Sequence, residues 1–564
     1  MGKRRLFNFR PVCFFALFLA AGIIVAEALY PVSHLYRLIP LVASLAATAV
    51  LFVLPKTRKF AFTAVAFALG ILSMSGAADV YDSRLIDDYS GTFTASVTSE
   101  IVVEEDRATF YVGNIHGDGR ELNGEAKVYL YVSDAPGFGA GDVVSITGFI
   151  GSERHEAFDS YVSYNAMNGE YFYVAADSVV KLADGEVSFP DNIALAVKQM
   201  FYEHTDADTA AICTALILGD KRGMDDALYD DVKASGLAHV LAVSGLHVTA
   251  LATAVYLLFS KLRLNRKIAF AIVLVLTLFY VALCGFTPSA VRAFVMTAVF
   301  NFGSAFGFKR DGLSSLALAA SLILIFSPFS IMHAGFLLSV FAVFGIMAFA
   351  DPLTDLFMKI TDKLAPSVIG RAGAPGGNVF ASLHTADTDA FSNGRETVHK
   401  VYDNLRKRYV TVKEKPLRRI LIRVSEAAAV AIAANIATYP FVAFFFGEVQ
   451  TLFVISNIVI LPYMMFIYII LLIITPFALI TTLHGLVGAA DWLLYPFKAF
   501  TTAVGAIPFA SVPFSVSVAG VVCFTLCVVL ASRFVFLRRH ERAAAVLVVC
   551  TLGLFAATLA GVFV

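Results

Sequence analysis

The stretch Leu237–Ser260, LAHVLAVSGLHVTALATAVYLLFS, runs for 24 residues without an Asp, Glu, Lys or Arg. A hydrocarbon core about 30 Å thick asks for roughly 20 such residues in a helix, so the segment reads as a membrane span. Similar runs lie on both sides of it. Val12–Tyr30, Leu38–Leu54 and Phe60–Ala78 precede it; Ile268–Cys284, Ala290–Phe306, Leu313–Phe326 and Ala334–Ala350 follow, with further runs from Ala427 onward. Composition agrees: the 564 residues are 58% hydrophobic and 15% charged, with a mean hydropathy of +0.76. Soluble domains are about 45–50% apolar and about 25% charged. The expected fold is therefore an α-helical polytopic membrane protein of about 11–13 spans. Disordered, collagen-like and purely soluble chains are excluded.

The amino end has the outline of a signal peptide: Lys3, Arg4 and Arg5, an apolar Cys13–Val25, then Ala26-Glu27-Ala28. Two more apolar runs follow directly, so Val12–Tyr30 reads as an uncleaved first span. Residues 80–190 have a different grammar. Thr92–Val103, Arg107–Ile115, Glu125–Val132, Gly141–Ile150 and Glu170–Leu182 alternate apolar and polar residues, with Gly and Asp turns between them. Five short strands suit an OB-like barrel, and a sandwich fits as well. The insert is acidic overall, whereas barrels that grip nucleic acid offer a basic, aromatic face. Docking, gating and strand binding all stay open for it.

An amphipathic stretch, Asp191–Ser235, leads back into the apolar runs. The chain thus divides into amino-terminal spans (1–79), a β-rich insert (80–190), a first membrane core (191–350), a polar segment (351–425) and carboxy-terminal spans (426–564). Within the polar segment, Ala365–Gly394 lacks periodicity and reads as disordered. Residues 400–423 hold nine Lys or Arg against Asp403 and Glu414. Short-loop cations stay cytoplasmic. Lys3–Arg10, Lys56–Lys59, Lys261–Lys267, Lys309–Arg310, the 400–423 cluster and Arg538–Arg542 all fall inside on one count, which puts the amino terminus in the cytoplasm and the β-rich insert outside. The basic cluster reads either as an orientation signal that touches membrane lipids or as a patch for nucleic acid or a partner.

Equal numbers of cationic and anionic residues, 43 and 43, point to no partner. There is no phosphate-binding G-x-x-x-x-G-K-[ST] loop and no HExxH, and the histidines are scattered. Cys13, Cys213, Cys284, Cys523, Cys527 and Cys550 sit in apolar stretches without CxxC spacing, which argues against disulfides and structural zinc. No metal and no cofactor are expected. Cys523 and Cys527, four apart on a helix, read as two small buried residues.

The densest polar signal begins at Leu218-Gly-Asp220 and continues through Ser235-Gly-Leu-Ala-His239-Val-Leu-Ala-Val-Ser244-Gly-Leu-His247-Val248. On one helix, His239 and His247 would lie about 80° apart, and both could line one wall. Ser244-Gly245 between them could break that helix. Three readings remain: helix packing with each imidazole bonded to a carbonyl, a polar transport path, or a Ser/His hydrolase. A second signal is Cys284-Gly-Phe-Thr287-Pro288-Ser-Ala-Val-Arg292. Thr287 suits an N-cap and Pro288 the first helical position, so a helix starts at membrane depth. Its N–H groups and positive dipole end form an anion site, with Arg292 one turn in. Arg292 reads alternatively as the partner of an acidic residue or a lipid phosphate. Ser327–Ser339, and Thr438–Gly447 with Asn457 and Pro462 after it, each read as a kinked membrane helix.

Together these stretches resemble the ComEC family, competence proteins that pass single-stranded DNA across the bacterial cytoplasmic membrane. The residues that carry the likeness are the run from Ala215 to Val248, Thr287-Pro-Ser-Ala-Val-Arg292, Gly335-Phe-Leu-Leu-Ser339, and Pro440 with Asn457 and Pro462. Phe158-Asp159 and Tyr161–Gly169 in the insert also fit. Where the family often has an acidic residue before Gly-Phe and a Gln after it, this chain has His333 and Leu337. Many members carry a metallo-β-lactamase-like domain; here the sequence closes on an apolar run, Ala543–Val564. The resemblance implies a DNA-uptake channel, not an enzyme; His239, Ser244, His247, Thr287 and Arg292 read as lining its path with donors suited to a phosphodiester backbone, with Asp220 ordering the approach and no catalytic residue. It implies as partners single-stranded DNA, a DNA receptor, a cytoplasmic helicase or ATPase, a separate nuclease and further copies of the chain. A paralogous transporter of another substrate and a scaffold without transport are the alternatives.

Overall fold

A computed structural model describes residues 10–29, 34–53, 60–99, 101–104, 106–117, 120–131, 137–152, 170–185, 187–261, 265–308, 311–364, 368–369, 398–403, 408–413, 416–480, 484–535 and 546–549. Helices α1 (Pro11–Ala28), α2 (His34–Val53) and α3 (Ala61–Arg84) come first. Where α1 crosses α3 the two backbones nearly touch. A β-carbon on Gly22 would lie 2.2 Å from Phe67 O, and one on Gly70 would lie 2.2 Å from Leu19 O. Lipid tails are as apolar as leucine, so helices in a bilayer associate through close contact that small residues permit. Gly70→Leu should therefore wedge α1 from α3 and lower unfolding stability by about 1–3 kcal/mol. Gly76→Leu is the control, because a β-carbon there meets nothing within 4 Å. Equal midpoints for the two variants in detergent unfolding would refute the close-crossing account.

The β-rich insert comprises β1 (Tyr89–Val97), β2 (Val102–Glu104), β3 (Arg107–Gly117), β4 (Arg120–Leu122), β5 (Glu125–Tyr131), β6 (Val143–Ser152) and β7 (Glu170–Ala183). Five strands close a ring in the order β1-β6-β7-β5-β3 and back to β1. Every neighbouring pair is antiparallel except β5 with β7. Alternate residues such as Phe93, Ala95, Phe110, Val112, Val128, Ile146 and Val174 fill the interior. The single strand expected over Thr92–Val103 is split: β1 ends at Val97, and β2 pairs with the start of β3 as a separate ribbon. The Ser99 hydroxyl accepts the Tyr111 N–H at 2.9 Å inside that break. Phe158–Gly169 lies outside the described residues. Tyr81 of α3 seats the insert on the bundle, its ring 6.0 Å from Tyr171 and 6.5 Å from Phe329.

Next come α4 (Phe189–His204), α5 (Ala207–Leu218) and α6 (Asp226–Ala234), each opened by a side-chain cap from Ser188, Asp206 and Asp225 respectively. The amphipathic reading of Asp191–Ser235 fails for α5. Every residue from Thr209 to Leu218 is buried, so α5 is apolar on all sides and sits inside the bundle. Gly219, in the left-handed region at φ 77°, ends it.

The remaining helices are α7 (Gly245–Lys261), α8 (Arg266–Leu283), α9 (Pro288–Ala305), α10 (Gly312–Phe326), α11 (Ala334–Leu364), α12 (Pro416–Phe446), α13 (Phe453–Ile480), α14 (Ala489–Gly505) and α15 (Val518–Ala531). Among the described residues, six helices are long and apolar enough to cross a membrane, and five apolar helices are shorter. The chain is a multi-pass membrane protein with a β sheet region. α11 runs past residue 350 and α12 starts before 426, so both reach into the segment expected to be polar. Between them lie the short strands β8 (Val368–Ile369), β9 (Val398–Asp403) and β10 (Arg408–Lys413). Most of Ala365–Gly394, and the cationic residues at 56–59, 309–310 and 538–542, lie outside the described residues. Strands β11 (Glu448–Gln450) and β12 (Ser511–Pro513) pair across the loops that follow α12 and α14.

Candidate functional site

Short connections make α8 and α10 return strokes, so α7, α9 and α11 run in one direction and begin at the same end of the bundle. The starts of α7 and α9 share a core of Val243, Val248, Tyr280, Cys284, Ala290 and Ala293. Lower down, the hydroxyls of Thr249 and Thr297 lie 3.4 Å apart.

The Ser244 and His247 side chains settle how α7 starts. The Ser244 backbone N–H donates to His247 Nδ1 at 3.1 Å, and Ser244 Oγ lies 3.2 Å from the same nitrogen. This is one half of a capping box, the reach of the third helical side chain back to the N-cap N–H, with an imidazole in the position usually held by Glu or Gln. With Nδ1 accepting, the neutral ring keeps its proton on Nε2. His247 is 2% exposed, its ring 4.5 Å from that of Tyr468, whose hydroxyl donates to His247 O at 3.4 Å. His239 is elsewhere. It sits on the irregular segment before α7, with Nδ1 3.1 Å from Gly236 O. The expectation that His239 and His247 share one helical wall is thus wrong: Leu237, Val240, Leu241 and Val243 are buried, but in a non-helical connection that Gly236, at φ 76°, turns into the core.

The second signal folds largely as read. Gly285 and Phe286 turn the chain at φ 63° and 50°, Thr287 takes the N-cap position and Pro288 begins α9. The expected side-chain cap is not made. Thr287 Oγ1 is buried and has no hydrogen-bond partner, which leaves the helix start uncapped by its own residue. Arg292 is 7% exposed and leans on the start of α11, where a β-carbon on Gly335 would lie 2.7 Å from Arg292 Nη2. His333 Nδ1 accepts the Gly335 N–H at 3.0 Å and so caps α11 from the N-cap position, whereas His247 reaches back from within α7. Neither His333 nor Gly335 was singled out as a site residue from sequence. The Gly at 335, which leaves room for the Arg292 guanidinium, was the available signal.

Asp220 lies apart from this cluster, just past the end of α5. Its carboxylate takes Arg222 Nε at 2.9 Å and Nη2 at 2.7 Å, and Lys198 Nζ at 2.5 Å. Burial pushes its pKa up, but Arg222 and Lys198 outweigh that and hold the carboxyl well below the usual range. Arg222 also faces a groove of about 610 Å³ on the outside of the β barrel, where Arg107, Tyr111, Lys127, Tyr129 and Tyr131 form the wall. β3 and β5 set Arg107 opposite Tyr131, and Tyr111 opposite Lys127. Arg107 stacks over Tyr129 at 5.4 Å, and Lys127 lies 5.3 Å from the same ring. Asp177 is the one carboxylate among the lining residues. Although the insert is acidic in sum, this face is basic and aromatic. Odd-numbered residues of two adjacent strands carry it, a period-2 signal present in the sequence.

Ser244 and His247 touch, which a hydrolase would also need. Here Nδ1 is already taken by a backbone N–H, and a general base must be free to accept the nucleophile's proton. Ser244→Ala should cost about 0.5–2 kcal/mol of stability, as loss of a helix cap does. A fluorophosphonate serine probe should fail to tag the protein. Tagging that disappears in the variant would revive the hydrolase.

A helical bundle of this kind, with polar groups gathered where several helices start inside it, defines a multi-pass membrane protein with an internal polar centre. The Competence protein family profile matches residues 216–540, more than half of the chain and all of the helix-start cluster, and the chain belongs to that family. The chain is 26% identical over 262 residues to ComE operon protein 3 of Bacillus subtilis (strain 168), covering 44% of this chain and 32% of that protein. It is 30% identical over 153 residues to competence protein ComA of Neisseria gonorrhoeae, covering 25% of this chain and 21% of the other. The matches thus span about a third or less of the curated relatives. No solved structure matches.

Proposed function

We propose that this chain is a translocator that takes single-stranded DNA across the bacterial cytoplasmic membrane during uptake for competence. The observation that carries the reading is Arg292, buried where α9 and α11 begin and beside the start of α7. Each helix start offers about half a positive elementary charge, and the guanidinium adds a full one. A passing phosphodiester is the anion that such a place suits. Ser244, His247 and Thr287 furnish polar edges along the same path. His239 lies nearer its approach, and Asp220 orders the α5–α6 connection leading in.

The insert is read as an OB-like barrel on the exterior. In chain order its ring strands run first, fourth, fifth, third, second, with the third and fifth parallel, which is the connectivity of that barrel. Its groove pairs tyrosines with cations, as platforms for single strands do. The distribution of short-loop cations supports an amino terminus in the cytoplasm. The partners proposed are membrane lipids, a DNA receptor outside, a helicase or ATPase inside, a separate nuclease, and further copies of this chain. A cofactor is not required.

Two measurements test this. Labelled DNA should enter a deletion strain only when the intact chain is restored; restored membrane protein without uptake would favour transport of another substrate or a scaffolding role. In a cysteine-free background, Ser178→Cys should react with an impermeant thiol reagent in whole cells, and Ser392→Cys should react only after lysis. The inverse pattern would overturn the orientation.

A further inference from the structure

Lys198, Asp220 and Arg222 form an ion cluster in which two cations share one carboxylate. The members differ in access to water. The side chains of Lys198 and Asp220 are 11% and 14% exposed, whereas Arg222 is 41% exposed and lines the groove of the barrel. Asp220 is held redundantly. Oδ1 accepts the Arg222 backbone N–H at 3.0 Å as well as Nε, and Oδ2 receives Lys198. If the guanidinium leaves, the carboxylate keeps a buried cation and a backbone donor.

From this geometry we propose that Arg222 is a movable positioning residue: a phosphate entering the barrel groove draws its guanidinium off Asp220, which Lys198 and the Arg222 N–H continue to hold. Phosphate and carboxylate both accept the two parallel bonds of the guanidinium fork, so the exchange replaces one bidentate partner with another. Removing the partner of a buried charge is costly when nothing replaces it, and here Lys198 and the Arg222 N–H stay on the carboxylate. Arg222 sits four residues past the end of α5 and four before the start of α6, in the segment that connects them. A strand in the groove is thereby registered in the connection that leads toward the helix-start cluster. The inference rests on the strand-binding reading of the groove.

The test uses the full chain in lipid nanodiscs and a fluorescein-labelled twenty-residue oligothymidine, with anisotropy read over a series of salt concentrations. Arg222→Gln should weaken binding by roughly 3- to 10-fold and lower the salt slope by about one. Lys198→Gln should also weaken binding several-fold although Lys198 is not among the groove-lining residues, because Asp220 then has Arg222 as its only cation in the cluster. Asp220→Asn should tighten binding by releasing Arg222. Both effects should vanish in the Arg222→Gln background. Affinities unchanged in Lys198→Gln and Asp220→Asn, or shifted equally with and without Arg222, would overturn the exchange. If either buried variant does not survive purification, the other decides alone. Tyr129→Ala separates the two ideas: no binding by the wild-type chain, or binding that ignores Tyr129, sinks the strand reading of the groove itself.

Discussion

On the proposed function, Arg292→Gln should slow DNA uptake by roughly 10- to 100-fold or more while the protein still reaches the membrane at normal abundance. Translocon scales put an arginine at the centre of a span at about 2.5–3.5 kcal/mol, so its presence needs a compensating role. In the structure it stands one turn into α9 and against Gly335 at the head of α11. Each charged hydrogen bond to a phosphate is worth about 1.5–3 kcal/mol, so losing one at each step of the strand slows passage by roughly 10- to 100-fold or more. Arg292→Lys keeps the charge without the planar fork and should retain partial uptake. The assay is labelled-DNA entry alongside immunodetection in isolated membranes. Tolerance of Gln, or a loss confined to membrane abundance, would make Arg292 a structural residue and remove the anion path.

Tyr111→Ala combined with Tyr129→Ala should cost oligonucleotide binding about 2–6 kcal/mol if each ring stacks one base, at about 1–3 kcal/mol apiece. That is at least a 30-fold weakening. The barrel should stay folded, because the inward residues Phe110, Val112 and Val128 are untouched. Anisotropy with oligothymidine and with an abasic oligomer of equal charge reads the effect. The variant should bind the two alike, whereas the intact chain should prefer the oligomer with bases. Equal binding of both oligomers by the intact chain would show a groove that senses charge alone.

Much of this architecture was legible in the chain. Alternation along Arg107–Ile115 and Glu125–Val132 marked strands because one face of each is buried and the other wet. Thr287-Pro288 marked a helix start because proline lacks the N–H that a first turn leaves unused. Where the reading failed, tertiary burial had hidden the period. Leu237–Val243 is apolar because it is inside, not because it is helical, and an apolar stretch of that length is ambiguous between the two. α5 misled in the opposite direction, since a helix buried on every side has no polar face to report. The basic groove escaped because net charge over residues 80–190 averages two faces that the pleat separates. Side-chain caps from His247 and His333 lie outside the usual vocabulary of Ser, Thr, Asp and Glu at helix starts, so no rule would have raised them.

That α7, α9 and α11 all begin at one end bears on how a strand moves. In the proposed orientation that end faces outward, so the attraction is concentrated at the outer mouth. A bacterial membrane is electrically negative inside, and each phosphate carried inward works against the field by about 2.3 kcal/mol per 100 mV. Fixed helix ends and a fixed guanidinium do no net work over a complete passage, because whatever a phosphate gains on arrival it loses on departure. On the proposed function the outer mouth would collect and align the polyanion, and its gradient of attraction would resist the final step downward as strongly as it favours the first. On that same function, directed travel against the voltage would fall to an engine on the cytoplasmic side, coupled to the strand after it emerges.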